Sequence, residues 1–352
     1  MPKRHLKAND QPVNKQREAS ICELREFCQR LHQRCVRDLA FSLYSESLLR
    51  HMHDCPAKPY TLRFDAAAKD WLRQLDRQPA PLLAHLAKRT STRLGLYFES
   101  LWSFYWQYID QSRLLLHNHQ LSRNGKTLGA LDFVIETTAG ELLHIEAAAK
   151  FFLGHVRADK TARSPAWDST TLDWIGPNAN DRLAWKLEHM RRHQLPLSEA
   201  PESQAAIARA SGTQRPVGSR FLLRGCLFWP GTDDDSAGRQ APASPNDDIN
   251  PLANAGRWWH LTSFLQLNAL EGCDYFTILP RNHWLSPACY AGALAPLNLA
   301  TLKQALLRQI SLRQQGLMVV GLRYGRGQWR EARRLFVVPD QWPGTARPSR
   351  NT

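Results

Sequence analysis

Two carboxylates lie at corresponding positions on either side of one short turn. The segments LDFVIE and ELLHIEAAAKFF are separated by TTAG, a connection typical of a β-hairpin with glycine where a positive φ is needed. If the hairpin is centred on Ala139, Asp132 lies opposite Glu146 on one face, with Cβ atoms about 5 Å apart. Facing carboxylates repel each other, and a divalent cation removes that repulsion. The pattern therefore predicts a shared Mg²⁺ or Mn²⁺ site.

Two further residues extend this predicted site. Side chains alternate along a strand, so Lys150 shares the face of Glu146, where its amine could orient a hydrolytic water or stabilise a phosphoryl oxygen. Glu99 is the single acid in the apolar helical segment LGLYFESLWSFYW, where a metal ion or a water would account for it. Each residue also has an ordinary interpretation, as a solvent-facing acid or as a member of a surface Glu–Lys pair.

Positive charge suggests a polyanionic partner. The 352 residues carry a formal net charge of +14, which attracts nucleic acid but also suits an acidic protein. Lys186, Arg191 and Arg192 lie on a predicted helix and could follow a phosphate backbone, and Gln120 at a strand end could contact substrate. Solvated charge and an edge amide are the alternatives. Three nearby histidines match no zinc spacing and are predicted to be surface residues: His117, His119 and His144.

The elements that position these residues follow from the hydrophobic pattern. Helical spacing runs through residues 21–52, recurs before residue 89, and then marks one face of residues 94–109. Strands are predicted at 113–121, 131–136 and 142–152, then a helix at 182–193 with Asp181 as its cap, then a strand at 219–229. Because a helix separates the last two strands, we expect a parallel crossover in a mixed sheet.

This pattern divides the chain into six segments. They are a disordered basic arm (1–20), a helical region (21–89), an α/β core (90–230), a flexible loop (231–255), an α/β extension (256–342) and a tail (343–352). In the extension we predict a helix containing Trp258 and Trp259, a strand at 275–279, a helix at 302–312 and a hairpin that turns at 325–327.

Targeting signals are absent from the pattern. The seven cysteines form no C-x-x-C pair, and no run is long and apolar enough for a membrane helix. The basic N-terminus is not followed by an apolar region. We therefore expect a cytoplasmic protein with no membrane partner.

Several motif strings resemble a bacterial family described as domain of unknown function 1853. The strings are RLGLYFESLW (93–102), TLGALDFVIE (127–136), HIEAAAKFFLG (144–154), DWIGPNANDRLAWKLEHMRRHQL (173–195), RGCLFWP (224–230) and LPRNHWLSP (279–287). Within residues 93–151, an acid on a helix, an Asp on one strand and a Glu with a downstream Lys on the next resemble the PD-(D/E)XK nuclease superfamily.

The superfamily resemblance implies a restriction-endonuclease-like core at 90–230, in the order helix, three strands, helix, strand. It implies that Asp132 and Glu146, with Glu99, hold Mg²⁺ (or Mn²⁺) and that Lys150 is the catalytic lysine. The chain departs from the usual pattern because Ala148 stands two residues after the acid, where the lysine is expected. Lys150 follows the acid by four residues, about 13 Å at ~3.3 Å per residue of strand.

These features predict a Mg²⁺-dependent nuclease-like protein that hydrolyses phosphodiester bonds in DNA, with RNA as another substrate class. Two alternatives stay open. One is a catalytically inactive nucleic-acid-binding protein on the same fold, which Ala148 would fit. The other is a scaffold whose basic faces bind an acidic protein partner.

Overall fold

Helices come first along the chain in the computed structural model, which describes residues 11–156, 172–231, 248–291 and 295–344. They are α1 (Gln11–Cys28), α2 (Arg34–Tyr44), α3 (Ala66–Arg77), α4 (Ala80–Ala87) and α5 (Leu94–Tyr108), with the short strand β1 (Lys58–Pro59) between α2 and α3. The Asp65 side chain caps α3 by accepting the N–H of Ala68.

The start of α1 corrects one prediction. The helix begins at Gln11, so the disordered arm predicted for residues 1–20 is wrong for residues 11–20. Pro12 lies in the first turn, where its missing N–H removes no helical hydrogen bond. Residues 1–10 lie outside the described residues, as do 232–247 of the predicted flexible loop and 345–352 of the predicted tail.

Four of the central strands follow the predicted order, and one short strand was not predicted. They are β2 (Arg113–Arg123), β3 (Lys126–Glu136), β4 (Leu142–Val156), the unpredicted β5 (Leu172–Ile175) and β6 (Val217–Pro230). Neighbours pair antiparallel from β2 to β3 to β4, β5 pairs antiparallel with β4, and β6 runs parallel to β4. The expected parallel crossover in a mixed sheet is therefore confirmed.

The connection between β5 and β6 consists of several short helical segments, whereas the sequence pattern predicts one helix. It contains α6 (Leu183–His189), a π-helical turn (Met190–Gln194), a 3₁₀ turn (Leu195–Glu199) and α7 (Pro201–Ser211). Helix α6 begins one residue later than predicted, and Arg182 is its N-cap residue. The prediction that Asp181 caps this helix is wrong, because the Asp181 carboxylate pairs with Lys150 instead.

The C-terminal part continues the same sheet. It contains β7 (Ala255–His260), α8 (Leu261–Gln266), β8 (Tyr275–Leu279), β9 (Cys289–Ala291), α9 (Leu299–Arg313), β10 (Leu317–Gly325) and β11 (Gln328–Val338). Strand β7 runs parallel to both β6 and β11, and the sheet order is β2-β3-β4-β6-β7-β11-β10-β8. The predicted strand β8, helix α9 and β10–β11 hairpin are confirmed, and the hairpin turns at Arg326 and Gly327 with positive φ.

The tryptophan pair corrects another prediction. Trp258 and Trp259 belong to strand β7 and not to a helix. Trp258 packs in the core under α1–α5, whereas Trp259 packs with α8 and α9. Successive side chains of a strand point to opposite faces of the sheet. Both rings of β7 are therefore buried, one under each layer of helices.

Helices cover both faces of this mixed sheet. Helices α1–α5 pack on one face in the largest apolar core. On the other face, α7 covers the β2–β3 edge, residues around α6 cover β4 and β6, and α8 and α9 cover the β10–β11 end. In the part of the chain that the structure describes, no helix combines the length and the apolar character needed to cross a bilayer.

Strand pairing at Gly225 gives a test of this fold. Gly225 has φ 138° and pairs with Lys150, and an added Cβ would overlap the Lys150 carbonyl oxygen. We predict that Gly225→Ala lowers the free energy of unfolding by about 3 kcal/mol or more, because the β4 backbone cannot move aside. Gly95→Ala is the control, since nothing lies within 4 Å of its Cβ. Chemical denaturation measures both, and an equal effect of the two changes would contradict the β4–β6 register.

Candidate functional site

The register of the β3–β4 hairpin places the two predicted acids at corresponding positions. Phe133 pairs with Ile145, as the centred turn predicts, and Gly140 takes φ 80° in that turn. This pair is the last regular one of the ladder. Asp132 and Glu146 lie one residue beyond it, so they occupy the point where β3 and β4 stop pairing.

The Asp132 carboxylate replaces a backbone hydrogen-bond acceptor at the end of the β3–β4 ladder. Its Oδ2 accepts the N–H of Ala147 at 2.9 Å, so a side chain satisfies an amide that a β3 carbonyl would otherwise bind. Burial raises the pKa of Asp132 to about 8, and the neighbouring charge of Glu146 adds to the rise. The two acids therefore act on each other electrostatically.

Glu146 lies at the bottom of the site. Its side chain is fully buried, with 0% exposed, and so is that of His144. His144 Nε2 lies 3.0 Å from Glu146 Oε1, and Gln194 Nε2 donates to Glu146 Oε2 at 2.5 Å. The prediction that His144 is a surface residue is wrong, because strand alternation places it on the covered face of β4 beside Glu146.

Lys186 is the amine closest to these acids in the hydrogen-bond network. Its Nζ donates to Gln194 Oε1 at 2.7 Å, so Gln194 links the ammonium to the Glu146 carboxylate. Burial lowers the pKa of Lys186, and the Glu146 charge opposes that shift. The sequence assigned Lys186 only to a nucleic-acid-binding helix face, but the structure brings it into the acidic cluster.

A π-helical turn places Gln194 at this point. Residues Met190–Gln194 form it directly after α6. Such a turn is wider than an α-helical turn, so each residue advances by a smaller angle around the axis, and it is frequent at functional sites. Lys186 lies about two helical turns before Gln194, and the wider turn brings the two side chains together.

Glu99 approaches the cluster from α5. Its Oε2 accepts a hydrogen bond from Asn118 Nδ2 at 3.0 Å. Asn118 has φ 49° and lies in an irregular stretch of β2, next to the β3 residues around Asp132. Burial raises the pKa of Glu99, the Asn118 hydrogen bond opposes this, and the charge of Glu146 raises the pKa further.

Lys150 points to a different partner. Its Nζ donates to Asp181 Oδ2 at 2.5 Å, and the two side chains are 30% and 37% exposed. It also repels the Lys186 ammonium, so it lies at the edge of the same cluster. The structure thus brings Glu99, Asp132 and Glu146 together but ties Lys150 to Asp181.

The residues predicted to bind nucleic acid are otherwise engaged. Arg191 pairs with Glu188 at 2.7 Å, and Arg192 pairs with the same carboxylate. Gln120 lies exposed on β2, where its amide is 3.4 Å from the Thr127 hydroxyl across the hairpin. On the basic helix, Lys186 interacts with the charges of Glu146 and Asp132, and His189 interacts with that of Glu146.

The carboxylate oxygens of the cluster suit a hard cation such as Mg²⁺, but they do not form a complete coordination sphere. Among the described residues, no group of three or more His, Cys, Asp or Glu side chains is arranged to hold a metal ion. Mg²⁺ often needs only one or two carboxylates, with water in its other positions, and each carboxylate oxygen carries two acceptor sites. Asp132 Oδ1 makes no hydrogen bond to the described part of the chain. Asp132 and Glu146, with water in the remaining positions, are therefore the residues that could hold such a cation.

The main residues missed from sequence are His144, Gln194 and Asn118, together with the site role of Lys186. His144 could have been found, because it lies two residues before Glu146 on a buried strand face. Gln194 and Asn118 depend on a π-helical turn and a β-irregularity, which hydrophobic periodicity does not reveal.

Comparisons with known proteins give one match. No curated protein and no solved structure matches the chain at a significant level. A family model described as "Domain of unknown function (DUF1853)" matches residues 37–338, which include every residue of the cluster. The chain therefore belongs to the DUF1853 family.

Proposed function

We propose that this protein is a divalent-cation-dependent nuclease-like enzyme that hydrolyses phosphodiester bonds in DNA. The observation that carries the proposal is the cluster of Glu99 and Asp132, both half-buried, around the fully buried Glu146, together with the half-buried ammonium of Lys186. Clustered buried acids raise one another's pKa and cost stability, and such arrangements are concentrated at functional sites.

The order of elements supports the same proposal. Helix α5 supplies Glu99, the antiparallel strands β3 and β4 supply Asp132 and Glu146, and the crossover helix α6 leads to the parallel strand β6. Apart from the short strand β5 between β4 and α6, this order is the one expected of a restriction-endonuclease-like core, and it supports the proposal. Asp132 and Glu146 would hold Mg²⁺ or Mn²⁺, which supplies Lewis-acid stabilisation to a phosphodiester when bound.

Within the proposal, Lys186 and not Lys150 provides the amine of the site. Lys186 is linked to Glu146 through Gln194, whereas Lys150 is bound by Asp181. An ammonium next to the acids can orient the attacking water and stabilise charge on a phosphoryl oxygen. Gln194 fixes the direction of that ammonium, and Glu99 lies where it can accept a proton or hold a water.

One observation favours the inactive alternative, in which the protein binds nucleic acid without cutting it. The position that usually carries the lysine is Ala148, and the nearest strand lysine, Lys150, is neutralised by Asp181. Cleavage assays separate the alternatives, because both bind nucleic acid but only the enzyme cuts it.

Asp132→Asn should abolish cleavage. The amide oxygen can still accept the Ala147 N–H, but the negative charge that a cation needs is gone. Metal-ion stabilisation amounts to several kcal/mol, so we expect a rate loss of about 10³-fold or more. Rates are measured on labelled duplex DNA, single-stranded DNA and RNA with Mg²⁺ or Mn²⁺, and with EDTA as the metal-free reference.

Asp70→Asn is the matched control for this change, since Asp70 is an exposed acid on α3. It should cut at the wild-type rate. Undiminished cleavage by Asp132→Asn would contradict the site assignment, and wild-type protein that binds but cuts none of these substrates would leave the inactive alternative.

The two lysines should behave differently. Lys186→Met should slow cleavage by about 10²-fold or more, the scale of a positioned polar catalytic group. Lys150→Met should slow it by about tenfold at most, because it removes only a partly exposed ion pair with Asp181. Single-turnover rates, with melting temperatures to verify folding, measure the difference. A reversed ranking would restore Lys150 as the catalytic lysine.

Gln194 should matter for stability as well as for cleavage. Gln194→Leu leaves Glu146 Oε2 and Lys186 Nζ without their shared partner, which costs about 1–3 kcal/mol for a buried group. Gln74→Leu, on the exposed side of α3, is the control and should change stability by a few tenths of a kcal/mol. Urea unfolding compares them, and equal values would show that the Gln194 bridge does not hold in solution.

A further inference from the structure

An open groove lies directly beside the acidic cluster. Its walls are the segment 88–91 after α4, the first turns of α5, and residues 117–118 of β2, and its volume is about 190 Å³. We call it the α4–α5 groove. Glu99 and Asn118 line it and are hydrogen-bonded to each other at 3.0 Å. A molecule in this groove would therefore contact the same Glu99 that faces Asp132 and Glu146.

The opposite wall of the groove is cationic. Lys88 is exposed, and its side chain forms no ion pair with any described residue. Arg89 lies with its guanidinium 4.6 Å from the Tyr97 ring centre and donates its Nε–H to the Leu86 carbonyl. These contacts fix the direction of the Arg89 side chain without neutralising its charge. Thr90 and Ser91 add hydroxyl-bearing side chains to the lining of the groove.

The charges of Lys88 and Arg89 contrast with those of five other arginines near the site. Each of the five pairs with a glutamate: Arg113 and Arg215 with Glu136, Arg123 with Glu202, and Arg191 and Arg192 with Glu188. Two cations that lack a carboxylate partner in the described structure, next to hydroxyl groups, form a surface that can bind phosphates.

We propose that the α4–α5 groove binds the phosphodiester backbone of the nucleic acid on one side of the reacting bond, with Lys88 and Arg89 each neutralising a phosphate. This rests on the proposed function, because the groove leads to Glu99 of the same site. It assigns substrate binding to residues 88–91 and not to the basic end of α6, where Glu188 already neutralises the arginines.

The test is the salt dependence of binding to a fluorescein-labelled DNA duplex, measured by anisotropy in EDTA so that cleavage does not interfere. Each phosphate contact contributes about 0.9 to the slope of log affinity against log salt for duplex DNA. Lys88→Ala should therefore lower the slope by about 0.9 and weaken binding several-fold at low salt. Arg308→Ala, an exposed cation on α9 near the opposite sheet edge, should leave the slope unchanged.

Cleavage by the same proteins in Mn²⁺ separates this inference from the proposed function. If the wild type cuts and Lys88→Ala keeps the wild-type slope, the groove assignment is overturned and the enzyme stands. If binding depends on Lys88 but nothing is cut, the groove stands and the enzymatic function is overturned. Wild-type protein that neither binds nor cuts overturns both.

Discussion

One hydrogen bond organises the site: the Asp132 carboxylate accepts the N–H of Ala147. The β3–β4 ladder ends at Phe133 and Ile145, and without a side-chain acceptor the amide of the buried residue Ala147 would be left unpaired, which is costly. By satisfying it, Asp132 fixes its own carboxylate beside Glu146. The same contact that ends the ladder therefore creates the close approach of two like charges.

The two negative charges need nearby positive charge or hydrogen-bond donors, and the segment that covers β4 supplies some of them. Glu146 is fully buried, and His144 and Gln194 contact its two oxygens. Lys186 contributes positive charge through Gln194, yet burial still raises the pKa of Asp132 to about 8. One ammonium thus leaves the cluster of acids short of positive charge, which is the physical reason for a cation in the proposed site.

Sequence patterns predict those features that depend on local geometry. The turn TTAG and strand alternation are sufficient to place Asp132 and Glu146 at corresponding positions, one residue beyond the last pair of the ladder, because both follow from backbone periodicity. They do not predict which element covers the strand face. Strand alternation therefore predicts Lys150 as the amine beside the acids, whereas the packing of α6 places Lys186 near Glu146 and Asp132. The short apolar run around Trp258 fits a helix or a strand equally well until its two faces are known.

The central claim is that Asp132 and Glu146 share a divalent cation, and the most direct measurement is anomalous diffraction from crystals soaked in Mn²⁺. The account predicts an anomalous peak within bonding distance of one oxygen from each of these two carboxylates, with Lys186 beside it. A map at saturating Mn²⁺ with no peak there, and with the Lys186 ammonium alone facing the acids, would contradict it.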